Sequence, residues 1–201
     1  MKILLNGRRG KVGSVLGPGL ESAGHTLVDS LGDADAMVDF TRPDAVASNV
    51  RAAVSAGIRC VVGTTGWETD EFADAPVAVF YAPNFAIGAV LMMRFAEEAA
   101  KHLERAEIVE LHHPAKLDAP SGTAKLTAER IGGAVPIHSV RLPGLLAHQE
   151  VLLGGAGELL TIRHDATSRE AYTPGVLLAL EKLPSLPPGL TVGLDALLQS
   201  S

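Results

Sequence analysis

The sequence has only one cysteine, Cys60, among its 201 residues. An intrachain disulfide and a metal site built from several cysteines are therefore excluded. Cys60 lies in the apolar run IRCVVG, which predicts a buried, unreactive strand residue rather than a nucleophile. Such sparing use of cysteine is typical of a reducing compartment, and the cytoplasm is the predicted location.

Long hydrophobic runs are absent as well. No stretch approaches the roughly 20 apolar residues needed to cross a bilayer, so no membrane association is predicted. The opening MKILLNGRRG has only a short apolar run before a glycine loop, and we expect no secretory leader. A formal net charge of -6 and the lack of any Lys/Arg run argue against nucleic acid as a partner.

The first part of the chain alternates short apolar runs with helical patterns. Strands are predicted at residues 2–6, 26–29, 36–40, 58–62 and 77–81, and helices at 11–23 and 43–56. Strands that are apolar on both faces and alternate with helices are typical of a parallel sheet covered on both sides. The predicted fold class is therefore α/β, with a Rossmann-like parallel sheet in this part.

The pattern changes from residue 84 onward. The predicted elements are a helix at 87–103, a strand at 107–113, a helix at 121–131, and strands at 137–142, 148–153 and 158–164, the last two joined by a hairpin loop at 154–157. Strands in succession favour a mostly antiparallel or mixed sheet in an α+β arrangement. One more helix from 174, a Pro-rich turn at 184–188 and a short apolar end complete the chain.

A glycine loop, Gly7-Arg8-Arg9-Gly10-Lys11-Val12-Gly13, joins the first strand to the first helix. Backbone N–H groups and the positive helix end suit a pyrophosphate there, and glycines let the backbone approach it. The spacing is GxxGxxG rather than the commoner GxGxxG, so a plain glycine-bearing turn is the alternative. Arg9 and Lys11 favour a phosphate-rich ligand, including one with a 2′-phosphate, or are solvated surface cations.

The second strand should end in an acidic residue that binds the adenosine ribose. Asp29, Asp33 and Asp35 all lie near that end, and the sequence does not decide among them, nor between NADH and NADPH. We take Asp33 as the candidate contact. The segment 63–66, GTTG, follows another strand at the carboxyl edge and suits a nicotinamide and its ribose, or is an ordinary loop.

The stretch 107–124 carries most of the chemistry. On a strand Glu110 and His112 point to the same face, and His113 points to the other. Lys116 follows in a loop, and Ser121-Gly122-Thr123 can open a helix whose N–H groups and dipole attract a carboxylate. Two imidazoles, an ammonium and this helix end can hold a small dianion and give it a proton.

Plainer interpretations of these residues exist. Adjacent histidines are often a surface pair, and Ser-Gly-Thr is often only a helix cap. A metal site is not predicted, because no carboxylate stands at a suitable spacing from the histidines.

This stretch resembles the signature of the 4-hydroxy-tetrahydrodipicolinate reductase family, E-[I/V]-x-E-x-H-x-x-x-K-x-D-x-P-S-G-T-A, at every fixed position. Other motifs agree in order along essentially the whole chain: the glycine loop, Asp39-Phe40-Thr41 with Pro43, GTTG at 63–66, Ala82-Pro83-Asn84-Phe85 and Ala166-Thr167-Ser168-Arg169. The resemblance implies hydride transfer from NADH or NADPH to a cyclic imine dicarboxylate, giving tetrahydrodipicolinate in diaminopimelate and lysine synthesis.

The resemblance also implies residue roles. His112 matches the proton donor/acceptor and Lys116 the proton donor. The matching substrate contacts are His113, Gly122 and Thr123, with Ser121 adding a hydroxyl or amide. The matching cofactor contacts are Gly7, Arg8, Arg9, Gly10, Lys11, Val12, Gly63, Thr64, Thr65, Ala82, Pro83, Asn84 and Phe85.

For the domains, the resemblance implies a dinucleotide-binding domain at 1–83 plus 174–201 and a substrate-binding and oligomerisation domain at 84–173, in a homotetramer. The chain departs from the family by being short, in residues 30–36 and between the helix from Ser121 and the strand near Ile137. The first departure falls beside the ribose-binding acid and the second in a loop of the substrate domain. A non-catalytic dinucleotide-binding relative and a reductase of another imine dicarboxylate are the alternatives.

Overall fold

A computed structural model describes residues 1–198 of the chain. The chain forms two compact units: a first unit of Met1–Ile87 with the chain from Arg169 onward, and a second unit of Gly88–Ser168. The expected domain boundaries at 83/84 and 173/174 lie near these divisions. No helix among the described residues is long and apolar enough to cross a membrane.

The strands in chain order are β1 (Lys2–Asn6), β2 (Thr26–Val28), β3 (Ala36–Asp39), β4 (Arg59–Val62), β5 (Ala78–Tyr81), β6 (Arg105–His112), β7 (Ile137–Arg141), β8 (Ala147–Gly155), β9 (Glu158–Ala166) and β10 (Gly189–Val192). The α-helices are α1 (Gly13–Ser22), α2 (Pro43–Ser55), α3 (Ile87–Ala99), α4 (Gly122–Ile131), α5 (Thr173–Lys182) and α6 (Asp195–Leu198). Short 3-10 turns lie at Leu31–Asp33, Asp70–Phe72, Arg169–Tyr172 and Leu183–Ser185.

The first unit contains a six-stranded sheet in the order β10-β5-β4-β3-β1-β2, with every strand pair parallel. All four residues of β3 are buried, as expected for a strand covered on both faces. The direction in which strands are added reverses between β1 and β3, and open α/β sheets bind ligands outside the carboxyl ends of such strands. The predicted Rossmann-like sheet is confirmed.

The sixth strand was missed in the sequence. The segment predicted only as a short apolar end contains β10, which pairs in parallel with β5. It has four residues, follows a Pro-rich turn and has one fully buried residue, Gly189. A strand this short is defined by its neighbour and not by its own hydrophobic pattern.

Two helix ends also differ from prediction. The first helix begins at Gly13 and not at residue 11, and α3 ends at Ala99 and not at residue 103. Beyond Ala99 the backbone tightens into i→i+3 bonds, with Lys101 N donating to Glu98 O at 3.2 Å and His102 N to Ala99 O at 3.0 Å. Apolar periodicity continues through such a turn and does not mark where the α-helix ends.

The second unit contains a four-stranded sheet in the order β7-β6-β8-β9. The β6–β8 and β8–β9 pairs are antiparallel, whereas β6 and β7 are parallel, so the sheet is mixed, as predicted. Parallel neighbours need a crossover connection, and α4 provides it between β6 and β7. The hairpin loop is tighter than predicted, because Gly155 already pairs with Glu158.

The glycine loop after β1 is packed against the backbone that follows β3. Gly7 has φ +82°, and a Cβ added there would lie 2.2 Å from the carbonyl oxygen of Phe40. A Cβ on Gly13 would lie 2.1 Å from the carbonyl oxygen of Gly7. Only glycine fits at either position, so the loop is held against the carboxyl ends of β1 and β3.

We therefore predict that Gly7→Ala destabilises the protein more than Gly24→Ala. Gly24 has a similar φ of +85° but nothing within 4 Å of its added Cβ. Gly24→Ala should cost only the left-handed backbone strain, about 1–2 kcal/mol, and Gly7→Ala about 1–3 kcal/mol more from the clash. Urea unfolding followed by circular dichroism measures both losses. Equal losses of stability in the two variants would contradict the close packing of Gly7 against the carbonyl oxygen of Phe40.

Candidate active site

A buried carboxylate, that of Glu110, lies at the centre of the predicted reaction site. Glu110 is 0% exposed on β6. Its Oε1 accepts from Arg141 Nη2 at 2.8 Å and from Ser121 N at 3.3 Å. Its Oε2 accepts from Arg141 Nη1 at 2.9 Å and lies 2.5 Å from Nδ1 of His112. Burial alone would raise the pKa of Glu110, but hydrogen bonds from Arg141, Ser139 and His112 leave it below its usual value.

His112 is the last residue of β6, where the strand enters the loop. Its side chain is 13% exposed and shares a face with Glu110, as the strand periodicity predicts. Burial lowers the pKa of His112, the hydrogen bond and charge of Glu110 raise it, and the charges of Lys116 and Arg141 lower it further. The net direction is downward, which favours the neutral ring near neutral pH.

Lys116 lies in the loop between β6 and α4, with 22% of its side chain exposed. Its Nζ donates to both carboxylate oxygens of Asp118, at 2.7 and 2.9 Å. This hydrogen bond holds the pKa of Asp118 below its usual value. The ammonium lies close enough to His112 for its charge to lower the pKa of that ring.

The loop closes onto α4 through Ser121. Its backbone N–H donates to Glu110, while its Oγ accepts from Ala124 N at 3.2 Å and caps the helix. The first turn of α4 contains no acidic side chain of its own, and the carboxylates of Glu110 and Asp118 accept from the backbone N–H groups of Ser121 and Gly122 at this positive end of the helix dipole. Gly122 is exposed and Thr123 half-buried, and this helix end suits an anion.

Helix α4 is fixed to the sheet by a buried polar contact. Gln149 Nε2 on β8 donates to Thr127 Oγ1 at 2.7 Å, and that hydroxyl donates to Thr123 O at 2.7 Å. His113 is half-buried, and its carbonyl accepts from Lys116 N at 3.1 Å. The end of β6, the loop after it and the first turn of α4 therefore carry the six residues predicted for catalysis and substrate binding, which are His112, His113, Lys116, Ser121, Gly122 and Thr123.

No role was predicted for Arg141, which lies among these residues in the structure. Arg141 is opposite His112 in the parallel β6–β7 register. Besides Glu110, it donates to the carbonyl oxygens of Val140 and Asp118, each at 2.8 Å. Only the pairing of β7 with β6 brings it there, so strand patterns alone did not point to it. Within residues 1–198 no cluster of three or more His, Cys, Asp or Glu is placed to hold a metal ion.

In the first unit, the glycine loop and the end of β2 enclose a cavity of about 580 Å³. It is lined by Leu4, Leu5, Asn6, Gly7, Arg8, Arg9, Gly10, Leu27, Val28 and Asp29. No side chain caps the amino end of α1 beside it. Such a cavity at the carboxyl ends of β1 and β2 suits the adenosine and pyrophosphate of a dinucleotide.

The three candidate ribose acids occupy different places. Asp29 lines the cavity. Asp33 ends the 3-10 turn after β2 and is not among the lining residues. The carboxylate of Asp35 accepts from Lys2 N at 2.7 Å, at the amino end of β1 and away from the cavity.

A second buried carboxylate organises the carboxyl edge of the parallel sheet. Asp39, at the end of β3, is 0% exposed. It accepts from Thr41 N at 3.0 Å, from Thr64 Oγ1 at 2.8 Å and from Asn49 Nδ2 at 2.8 Å. The predicted contact Thr64 is thus fixed against β3, while its neighbour Thr65 is exposed.

The segment 82–85 leaves β5 at the same edge. Ala82 and Phe85 are buried, Pro83 is exposed, and Asn84 Oδ1 accepts from Ala86 N at 2.9 Å.

Cys60 is 0% exposed in β4, and burial, aided by the charge of Asp39, raises the pKa of its thiol to about 12. The predicted reading of Cys60 as an unreactive strand residue agrees with this environment.

Comparison with known proteins identifies the family. The family model described as dihydrodipicolinate reductase, C-terminus, matches residues 88–198, and the N-terminus model matches residues 16–85. The chain belongs to the dihydrodipicolinate reductase family. The resemblance found in the sequence is therefore confirmed.

Two curated members of the family named 4-hydroxy-tetrahydrodipicolinate reductase are similar over most of their length. The one from Mycolicibacterium smegmatis is 45% identical and aligns over 100% of both chains. The one from Desulfitobacterium hafniense is 47% identical over 90% of this chain and 80% of its own. A solved family structure, dipicolinate-bound dihydrodipicolinate reductase from Paenisporosarcina sp. TG-14, superposes with a TM-score of 0.82, 31% identity and 98% coverage of each chain.

The chain is shorter than the Mycolicibacterium smegmatis protein. The alignment with the Mycolicibacterium smegmatis protein spans 246 positions, although the chain has 201 residues, so it includes positions at which this chain has none. The segments predicted to be shortened contain neither His112 nor Lys116. The glycine loop at 7–13 precedes the stretch that the N-terminal family model matches.

Proposed function

We propose that the chain catalyses the NAD(P)H-dependent reduction of 4-hydroxy-tetrahydrodipicolinate to tetrahydrodipicolinate, in the synthesis of diaminopimelate and lysine. The observation that carries this proposal is the convergence of His112, Lys116 and the first turn of α4 around the buried Glu110, in a member of this reductase family. Cations beside the amino end of a helix are the chemistry that a small dicarboxylate requires.

Different residues of the second unit bind the two carboxylates of the substrate. The hydroxyl groups of Ser121 and Thr123 and the backbone N–H groups of Gly122 and Thr123 bind one carboxylate at the positive end of α4. His113 and the ammonium of Lys116 offset the remaining negative charge. The relative from Paenisporosarcina was solved with dipicolinate, a dicarboxylate of the kind that this helix end suits.

A bound nicotinamide nucleotide supplies the hydride. The 4-hydroxyl group of the substrate must leave as water, and hydride addition to the resulting conjugated imine leaves an electron-rich atom that must take up a proton. Lys116 is the proton donor in our proposal, and His112, whose Nδ1 faces Glu110, exchanges a proton through its other nitrogen. Both groups lie within one strand end and the loop that follows it, so they act on the same bound molecule.

The first unit fits a dinucleotide. Glycines 7, 10 and 13 let the backbone approach the pyrophosphate, and the cavity beside them has room for the adenosine. The proposed contacts are Gly7, Arg8, Arg9, Gly10, Lys11 and Val12 for the phosphates, and Gly63, Thr64, Thr65, Ala82, Pro83, Asn84 and Phe85 for the nicotinamide end. Arg8 forms an ion pair with Glu21 at 3.7 Å. Arg9 and Lys11 are therefore the cations that we assign to a 2′-phosphate.

A homotetramer in the cytoplasm completes the proposal. The edge strand β9 of the second unit exposes two large apolar side chains, Leu159 at 67% and Leu160 at 41%. Exposed leucines on a sheet edge favour burial against another copy of the chain.

Activity is tested by following NAD(P)H oxidation at 340 nm with enzymatically generated substrate. We predict turnover, and at least about a 100-fold loss of kcat for Lys116→Ala, because one general acid contributes roughly that much. The dissociation constant for NADH should not change. Lys125→Ala, an exposed lysine on α4, is the matched control and should keep full activity. Wild-type protein that binds nucleotide but turns over with neither NADH nor NADPH would refute the reductase.

We further propose Asp29, in preference to Asp33, as the acid that binds the adenosine ribose, because it lines the cavity. Asp29→Asn should weaken NADH binding about 10- to 100-fold, the usual value of a hydrogen bond to a charged group. Asp35→Asn should leave NADH binding unchanged, since that carboxylate is bonded to Lys2 N. Calorimetric titration of the three variants with NADH and NADPH measures this. A loss confined to Asp33→Asn would restore the assignment made from the sequence.

A further inference from the structure

We infer that the Glu110–Arg141 pair positions the substrate site: its one buried carboxylate selects the tautomer of His112 and fixes both the first turn of α4 and the loop that carries Lys116. This inference rests on the proposed roles of His112 and Lys116. Neither Glu110 nor Arg141 is proposed to touch the substrate, so both act through the residues that they hold.

Both oxygens of the Glu110 carboxylate accept hydrogen bonds from several donors. Arg141 binds it through two nitrogens, at 2.8 and 2.9 Å, and so fixes the plane of the carboxylate. Ser121 N and His112 Nδ1 donate one to each oxygen, and the side chain of Ser139 donates as well. A fully buried carboxylate held by all these donors cannot rotate, so the imidazole and the helix end keep a fixed relation.

Arg141 extends this arrangement to the loop. Its Nη2 donates both to Glu110 and to the carbonyl oxygen of Asp118, 23 residues earlier in the chain. Asp118 in turn holds the ammonium of Lys116. The strand end, the loop and the helix start are therefore tied to a single ion pair.

The ionisation of Glu110 decides which nitrogen of His112 carries the proton. The pKa of Glu110 lies below its usual value, so the carboxylate is ionised at neutral pH and can only accept. Nδ1 of His112 must then carry a hydrogen, and Nε2 is the nitrogen left for the substrate. A histidine held in this way by a carboxylate exchanges its proton at one defined atom.

The plainer interpretation is that the pair only stabilises the sheet. Glu107 offers a matched comparison, because it pairs with His138 at 2.8 Å across the same two strands, but both side chains are about half exposed. A merely structural role for Glu110 would lower stability without changing the tautomer of His112 or the pH profile of the reaction.

The first test uses the unmodified protein with nitrogen-15-labelled histidine. NMR spectra above the pKa of His112 should show its Nδ1–H tautomer, with the resonance assigned by its loss in His112→Asn. The Nε2–H tautomer would overturn the inference. This measurement needs no turnover, so it stands apart from the success or failure of the proposed function.

The second test compares Glu110→Gln with Glu107→Gln. Glu110→Gln should lower kcat about 10- to 100-fold, the range seen when the partner that orients a functional histidine is removed. Dipicolinate, used as a non-reacting dicarboxylate, should bind about tenfold more weakly, while NADH binding stays unchanged. Glu107→Gln should leave all three values within about twofold of the wild type, in line with the small energy of an exposed pair.

The pH dependence of kcat/KM is a measurement that a change in protein stability alone would not shift. The charged groups that face His112 are Glu110, Lys116 and Arg141, and only Glu110 raises its pKa. Removing that charge lowers the pKa of His112. The limb of the kcat/KM profile that reports the titration of His112 should therefore move to lower pH in Glu110→Gln. An unchanged limb and unchanged dipicolinate binding, with only a lower melting temperature, would overturn the inference.

Discussion

The ion pair between Glu110 and Arg141 is the interaction on which the substrate site depends. A buried ion pair is a weak source of stability, because the cost of removing both charges from water offsets most of their attraction. Its value is geometric: the fixed carboxylate joins a strand end, a loop and a helix start that would otherwise move independently. The active groups are thus preorganised before any ligand arrives.

The first unit also contains a buried carboxylate that holds several loops and strand ends in place. Asp39, also a buried carboxylate at a strand end, gathers donors from β1, α2 and the loop after β4, through Asn6, Asn49 and Thr64. Each unit therefore fixes its ligand-binding loops around one fully hydrogen-bonded acid. Buried charges are tolerated only when they are satisfied in this way, so we expect both sites to be rigid rather than formed on binding.

Local patterns predicted most of the fold, because β3 and α2 carry clear apolar periods and helix signals. The strand β10 was missed because only its pairing with β5 defines it. In the site, His112, Lys116 and Ser121 follow from one continuous signature, and strand alternation placed Glu110 beside His112. Arg141 did not follow, because it lies 31 residues from Glu110 and reaches it only through the parallel β6–β7 register.

The most direct test of this account is a crystal structure of the chain with NADH and dipicolinate. The account predicts a ligand carboxylate within hydrogen-bond distance, about 3 Å, of the N–H groups that open α4 at Gly122 and Thr123. It also predicts that Nε2 of His112 faces the ligand ring while Nδ1 stays on Glu110. A dicarboxylate bound away from the start of α4, or a His112 ring turned off Glu110 with unchanged affinity, would contradict it.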